Sequence, residues 1–244
     1  MANVIVAGNQ NDKLYLFSGV ITSTLKTSSP ALTAYDSIPS GCSDDGTNTP
    51  WVGYFDVQKL FLMSGQFSST MKTSEDVSSI DTTPADCSWD RTNTPWTGRT
   101  ADKLYLQSGQ FTSTVKDSED VSAIDANPWG ISYDGTNTPW TGAGDCKLYL
   151  TSGQFTSTIK DSEDVSSIND LPLGHTWDGT DTVWTGTGTQ GERLYRQSGQ
   201  FTSTLKQNVN LGSTDTAIQS CELDDLNARV PVAPGAYKPV IFFY

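Results

Sequence analysis

GISYDGTNTPWTGAGDCKLYLTSGQFTSTIKDSEDVSSIND, residues 130–170, reads as four short strands separated by turns. The first is Ile131–Tyr133, ended by Asp134-Gly135, a strong tight-turn pair. The second, Thr138–Thr141, is centred on Trp140, and Gly142 and Gly144 mark the turn after it. The third, Lys147–Thr151, alternates Leu148, Tyr149 and Leu150. Ser152-Gly153-Gln154 turns it into the fourth, Phe155–Lys160. A longer connection, Asp161–Leu173, carries the chain onward. Thr, Val, Ile and aromatic residues fill the runs, and Gly or Asp-Gly breaks them, which suits strands and argues against repeated helix pairs.

This unit recurs. SGVITSTLK at Ser18 is followed by SGQFSSTMK at Ser64, SGQFTSTVK at Ser108, SGQFTSTIK at Ser152 and SGQFTSTLK at Ser198, at spacings of 46, 44, 44 and 46 residues. Four-stranded antiparallel units at such a period are the signature of a β-propeller. A linear β-solenoid is the alternative, but its coils are usually shorter and lack hairpin turns. The ends favour a ring. Cys221 aligns with Cys42, Cys87, Ile131 and His175 on strand one, so Ala217–Asp224 is a first strand with no third or fourth after it. Val4–Gly8 aligns with the Trp-bearing second strand and has no first strand before it. The expectation is an all-β, five-bladed β-propeller over residues 1–225, its N-terminal blade completed by a C-terminal strand, and an extended tail at 226–244.

Charged residues are 18% of the 244, aromatic residues are 10%, and the net charge is −13. Disorder does not fit regularly placed Trp and Tyr. An acidic surface repels phosphate, so no nucleic acid and no anionic membrane is expected as partner. MANVIVAG carries no basic n-region, and no window is long and apolar enough for a membrane span, so synthesis in a cytoplasm without membrane insertion is expected.

Trp51, Trp96, Trp140 and Trp184 recur on strand two, Tyr15, Phe61, Tyr105, Tyr149 and Tyr195 on strand three, and Phe67, Phe111, Phe155 and Phe201 at the opening of strand four. Such rows fill the space between blades. Cys42, Cys87 and Cys221 share a register with His175, a nominal zinc set. Each is expected in a different blade interface, as a small apolar side chain, so no metal is expected. Cys146 lies in a turn with no evident partner. The triplets Ser74-Glu75-Asp76, Ser118-Glu119-Asp120 and Ser162-Glu163-Asp164 read as solvated inter-blade turns rather than calcium loops. His175 is the only histidine, and neither a nucleophile elbow nor a phosphate-cradling glycine loop occurs. No enzyme activity and no cofactor are expected; a glycosidase using carboxylates near the channel is a third, weaker class.

Turns after strands one and three emerge on one face, and there DGTN and SGQ hardly vary. Gln66, Gln110, Gln154, Gln200, Asn48, Asn93 and Asn137 are its candidate ligand contacts, one small polar site per blade. The opposite face varies, with GYFDVQ at Gly53, GRTAD at Gly98, GAGDC at Gly142 and GTGTQGE at Gly186, and suits a unique protein contact. In the tail, Pro231, Pro234 and Pro239 favour an extended path. Val230, Val232, Tyr237, Ile241, Phe242, Phe243 and Tyr244 are candidate docking residues for a partner's sheet edge or groove.

YDGTNTPWTG followed by KLYLQSGQFTST-type strands resembles low-complexity β-propeller repeats encoded by tailed bacteriophages and marine viral genomes, over about Met1–Asp225. The resemblance implies a non-enzymatic structural protein at the virion surface, as decoration, fibre or host contact, joined to other virion proteins through its C-terminal tail. The chain lacks the blade dipeptide of WD-repeat propellers and the double glycine of kelch blades. A lectin-like propeller binding host-surface glycan, with one weak site per blade, is the alternative.

Overall fold

The structure, a computed structural model, describes residues 3–68, 70–112, 114–156, 158–202 and 204–224. Among the described residues twenty strands form five antiparallel sheets of four. Blade 2 runs Pro39–Cys42, Thr49–Gly53, Lys59–Met63 and Met71–Asp76; blade 3 runs Pro84–Cys87, Thr94–Gly98, Lys103–Gln107 and Val115–Asp120. Blade 4 runs Pro128–Ile131, Thr138–Gly142, Lys147–Thr151 and Ile159–Asp164; blade 5 runs Pro172–Trp177, Asp181–Gly186, Arg193–Ser198 and Leu205–Asn210. Blade 1 is assembled from both ends of the chain. Ile218–Leu223 is its first strand, and Val4–Gly8, Lys13–Phe17 and Leu25–Ser28 complete it. Val6 pairs with Cys221 as Trp96 pairs with Cys87, so the seam keeps the register of the covalent blades.

The first strands neighbour one another in a closed ring around the axis. Gly41, Gly130 and Gly174 permit this approach: a Cβ on Gly130 would stand 2.2 Å from Leu173 O, and one on Gly174 2.3 Å from Cys221 N. Apolar clusters sit between successive blades. Val52, Leu60 and Leu62 of blade 2, for example, meet Cys87, Trp96, Tyr105 and Phe111 of blade 3. Each strand-two tryptophan stacks on its cross-strand aromatic at centroid distances of 4.1–4.4 Å (Trp51–Phe61, Trp96–Tyr105, Trp140–Tyr149, Trp184–Tyr195). Directly opposed cross-strand positions put these side chains in contact, and offset stacking adds about 0.5–1.5 kcal/mol beyond area burial. Cys42, Cys87 and Cys221 are buried in these layers, and none of the four cysteines is joined in a disulfide.

The outer strand begins later than its composition suggests. Phe67, Phe111, Phe155 and Phe201 adopt left-handed φ of 56–62°, turning their rings under the blade instead of opening strand four. Ser152 N donates to Thr158 O, so the ladder resumes only at Ile159. Strand four therefore spans Ile159–Asp164, not Phe155–Lys160. The Ser-Glu-Asp triplets form its last residues rather than an inter-blade turn, and Lys59, Lys103 and Lys147 face Asp76, Asp120 and Asp164 across the ladder. A charged outer edge of this kind discourages pairing with another sheet. Strand one is Pro128–Ile131 rather than Ile131–Tyr133, because Asp134 draws the chain beyond Ser132 into its own turn.

Candidate functional site

On the uniform face every D-x-x-N turn is built by its first residue. Asp45 Oδ1 accepts from Thr47 N and Asn48 N, and Asn48 Nδ2 donates to Asp45 Oδ2; Asp90 and Asp134 repeat the arrangement. Asn93 and Asn137 accept from Gly109 N and Gly153 N of the S-G-Q turns. Each glutamine then crosses to the preceding blade. Gln110 Nε2 donates to Asp45, Gln154 Nε2 to Asp90 and Gln200 Nε2 to Asp134, at 2.5–2.7 Å. Burial raises the pKa of the Asp45 carboxyl, but donors from Asn48, Gln110 and Thr47 outweigh it and hold the group below the usual range. Asn48, Asn93 and Asn137 are buried, and these three glutamines form inter-blade clasps. At the seam the same turn exists without a covalent link. Asn3 N and Asn3 Nδ2 donate to Asp224, at 2.6 and 2.5 Å, as Asn48 does to Asp45. Gln66 lies here, lining a cavity of about 220 Å³ with Asp44, Gly46, Thr47 and Asp224. Blade 5 departs: Asp181 replaces the asparagine and is held by Arg196 and Lys206, at 2.8 and 2.7 Å.

The opposite face is organised by carboxylates that sequence reading overlooked. Asp36, Asp81, Asp125 and Asp215, with Asn169 in the fifth case, end the inter-blade connections. Each accepts backbone N–H groups from the turn after strand two of the following blade. Asp36 holds Phe55, Asp56 and Val57; Asp81 holds Thr100 and Ala101; Asp125 holds Gly144 and Asp145; Asn169 Oδ1 holds Gly188; and Asp215 holds Gln10 and Asn11. Burial raises the Asp36 carboxyl, opposed by its N–H donors. The signal was present as Ile80-Asp81, Ile124-Asp125 and Ile168-Asn169, each three residues before a strand-one proline at Pro84, Pro128 and Pro172.

These staples fix the residue that follows each strand-two glycine: Asn9, Tyr54, Arg99, Ala143 and Thr187. Two of them converge with Trp129 of blade 4. The Arg99 guanidinium lies 4.0 Å from the Trp129 ring centroid and 5.6 Å from that of Tyr54. Arg99 Nη1 donates to Tyr54 Oη at 2.9 Å, and Arg99 Nε to Asn127 Oδ1 at 2.6 Å. Tyr54 and Trp129 stack at 6.2 Å, and beside them Phe55 is 63% exposed. The result is a rigid aromatic–arginine patch drawn from three blades on an acidic protein. Tyr54 and Arg99 belong to the variable turns after strand two, which the sequence marks as suited to a unique contact, whereas Trp129 stands out only as a break in the strand-one repeat. Their contact across three blades is a property of the ring.

His175, by contrast, is wholly buried. Its Nδ1 lies 2.9 Å from Ser132 Oγ, its ring stacks on Phe201 at 6.0 Å, and burial lowers its pKa to about 3. At the axis Glu222 joins Ser88 and Thr176, and Asp86 accepts from Cys87 N and Ile131 N; both carboxylates are 1% exposed. Burial, then the neighbouring Glu222 charge, raises the Asp86 pKa well above its ordinary value. Among the described residues no group of three or more His, Cys, Asp or Glu is placed to hold a metal ion. The tail residues Val230, Val232, Tyr237, Ile241, Phe242, Phe243 and Tyr244 lie outside the described residues.

Neither a protein-family profile nor a curated protein matches the sequence. Solved structures do match in shape. A chain of the nidogen/laminin complex superposes with a TM-score of 0.61 at 15% identity, over 93% of this chain and 99% of that one. Myxococcus xanthus glutaminyl cyclase superposes with 0.51 at 10% identity, over 75% and 69%. A Lactobacillus plantarum protein superposes with 0.50 at 12% identity, over 86% and 67%. The chain is a β-propeller repeat protein, and because an enzyme stands among its structural neighbours, the fold does not separate catalysis from binding.

Proposed function

We propose that the propeller is a non-enzymatic display and contact module at a virion surface, joined to other virion proteins through residues 226–244 and presenting its variable face outward. The observation that carries the contact role is the Tyr54–Arg99–Trp129 patch with exposed Phe55. Trp, Tyr and Arg dominate interface hot spots, and a patch already rigid in the free protein loses little entropy on binding. The non-enzymatic reading is supported by the burial of the sole histidine and of the two axial carboxylates, which no substrate reaches without opening the ring. The virion setting rests on the sequence resemblance alone. The repeated-site lectin reading requires Gln110, Gln154 and Gln200 to release Asp45, Asp90 and Asp134 before meeting a glycan.

Two variants test the proposal separately. A chain ending at residue 229 is expected to fold as a monomer and to be missing from purified particles. Phe55→Ala/Arg99→Ala is expected to incorporate normally yet lose host-cell contact. Normal incorporation of the truncated chain would overturn the attachment role, and unchanged host contact by the double variant would overturn the role of the patch.

A further inference from the structure

We infer that the seam between blades 4 and 5 holds a single binding site for a carboxylated sugar ring. Its chemistry comes from a local reversal of the repeat. In blades 2–4 the lysine opening strand three faces an aspartate across the ladder. In blade 5 the lysine is replaced by Arg193 and the aspartate by Asn210. The whole outer strand changes with it, from the acidic I-K-D-S-E-D pattern to Leu205-Lys206-Gln207-Asn208-Val209-Asn210, which holds no acid. On a chain of net charge −13, the cation has been kept and its cross-strand counter-charge removed.

The longest of the strand-two turns, over residues 186–192, then brings Gln190 to the rim of an open pocket of about 400 Å³ beside this arginine. Arg193, Gln190, Asn208 and Ser167 supply polar lining, and Ile168 and Leu205 supply apolar lining. Arg193 is aimed by two hydrogen bonds, Nε to Gln190 O at 3.1 Å and Nη1 to Asn208 Oδ1 at 2.5 Å. A guanidinium has five N–H donors in a planar fork suited to a carboxylate, so donors remain for a ligand. The nearby Asp170 is turned away, accepting from Thr189 N and Oγ1 at 2.7 and 3.0 Å. Leu205 is 37% exposed, whereas Met71, Val115 and Ile159 at the same position pack against their inter-blade clusters. A carboxylate for the arginine, hydroxyls for the amides and Ser167, and a C–H face for Leu205 and Ile168 together describe a uronic-acid-type pyranose. This site is distinct from the Tyr54 patch and from the repeated turns.

Glucuronate and glucose, titrated into the full chain by ligand-observed NMR, test the inference. Glucuronate is expected to bind with a Kd of about 1 mM, typical for so small a ligand. Glucose should bind roughly tenfold or more weakly, the worth of one charge-assisted pair. Arg193→Ala should abolish the preference with an unchanged melting curve, and Lys103→Ala, at the equivalent position of blade 3, should leave it intact. Absence of glucuronate binding up to tens of millimolar, equal binding of the two sugars, or a preference surviving in Arg193→Ala would each overturn the site. Binding of acetate as tight as that of glucuronate would overturn the sugar-ring assignment.

Discussion

Asp215 ties the two ends of the chain together, and its removal should reveal how the ring is closed. Its carboxylate accepts from Gln10 N, Asn11 N and Asn11 Nδ2 at 3.2 Å, from Ala217 N at 3.0 Å and from Tyr15 Oη at 3.0 Å. Three of these partners lie about 200 residues away in sequence, Gln10 and Asn11 in the turn after the strand that Ile218–Leu223 must find and Tyr15 in the strand beyond it. Hydrogen bonds to a charged group contribute about 1.5–3 kcal/mol each when buried. The two turn amides regain water when the side chain is lost, so Asp215→Ala should cost about 3 kcal/mol in total rather than the sum of all five bonds. For a domain of this size that corresponds to a fall in Tm of roughly 6–12 °C. Blade 5 supplies an internal control. Asn169 occupies the same position, accepts from Leu171 N and Gly188 N at 2.9 and 3.1 Å, and donates to Tyr195 Oη at 3.1 Å. Asp215→Asn should therefore cost no more than about 1 kcal/mol, a single net hydrogen bond. Thermal and urea unfolding of the two variants measure both numbers. A fall below 2–3 °C for Asp215→Ala, or equal losses for Ala and Asn, would refute the view that accepted N–H groups close the ring (about 1 kcal/mol or less by the same conversion).

Three further outcomes follow from local geometry. Arg91 holds φ +78° where Gly46, Gly135 and Gly179 hold +86 to +95°. Arg91→Gly should gain about 0.5–1 kcal/mol in urea titration, left-handed strain of roughly 1–2 kcal/mol exceeding the unfolded-state entropy that glycine adds. Gln197 accepts from Trp184 Nε1 and donates to Glu163 Oε1 at 2.7 and 2.8 Å, joining blades 4 and 5. Gln197→Met, the residue of blade 2 at Met63, should cost about 2–4 kcal/mol by leaving buried groups without that partner. His175, lowered by burial to about 3, stays neutral in the fold while the unfolded chain binds a proton below about 6.5. Its contribution is present above pH 6.5 and lost as pH falls toward 3, about 2 kcal/mol by pH 5. His175→Ile, the residue of blade 4 at Ile131, should flatten the slope of Tm between pH 6.5 and 4; an unchanged slope would assign it elsewhere.

Blade number, strand order and ring closure were legible because they follow from periodicity, and periodicity survives in a single sequence. Trp140 opposite Tyr149, or Cys221 in register with Cys87, needs only a count of residues. Strand limits were less legible because they depend on φ at one residue. Phe155 at +59° is invisible to composition, since phenylalanine ordinarily extends a strand, yet it delays strand four to Ile159 and carries Asp161–Asp164 into the sheet. The inter-blade carboxylates recurred as plainly as the S-G-Q turns, but acceptors for backbone N–H have no sequence partner to pair with. The Tyr54–Arg99–Trp129 patch was legible only in part: the turns that hold Tyr54 and Arg99 stand out as variable, but their meeting with Trp129 joins three blades and has no signal in any one of them.

The inner ring shows why departures from the repeat, rather than the repeat itself, are left free of structural duties. Gly41, Gly130 and Gly174 let adjacent first strands touch; blades 3 and 1 place Asp86 and Ser220 in the same column, and Glu222 two residues on. Those side chains fill what glycine leaves. Ser220 Oγ lies 3.3 Å from Cys42 Sγ, Ser88 Oγ donates to Glu222 Oε2 at 3.0 Å, and Ile131 N donates to Asp86 Oδ2 at 3.2 Å. The axis is thus a polar core, satisfied across blades, and its carboxylates cannot serve a ligand without breaking those bonds. Uniform positions throughout the ring are committed in the same way: the aromatics to stacking, the D-x-x-N turns to the glutamine clasps, the Ile-Asp column to the strand-two turns. Selection for a closed ring holds them alike. Only residues outside these duties are free to differ between blades, and Tyr54, Phe55, Arg99, Trp129 and Arg193 are such residues.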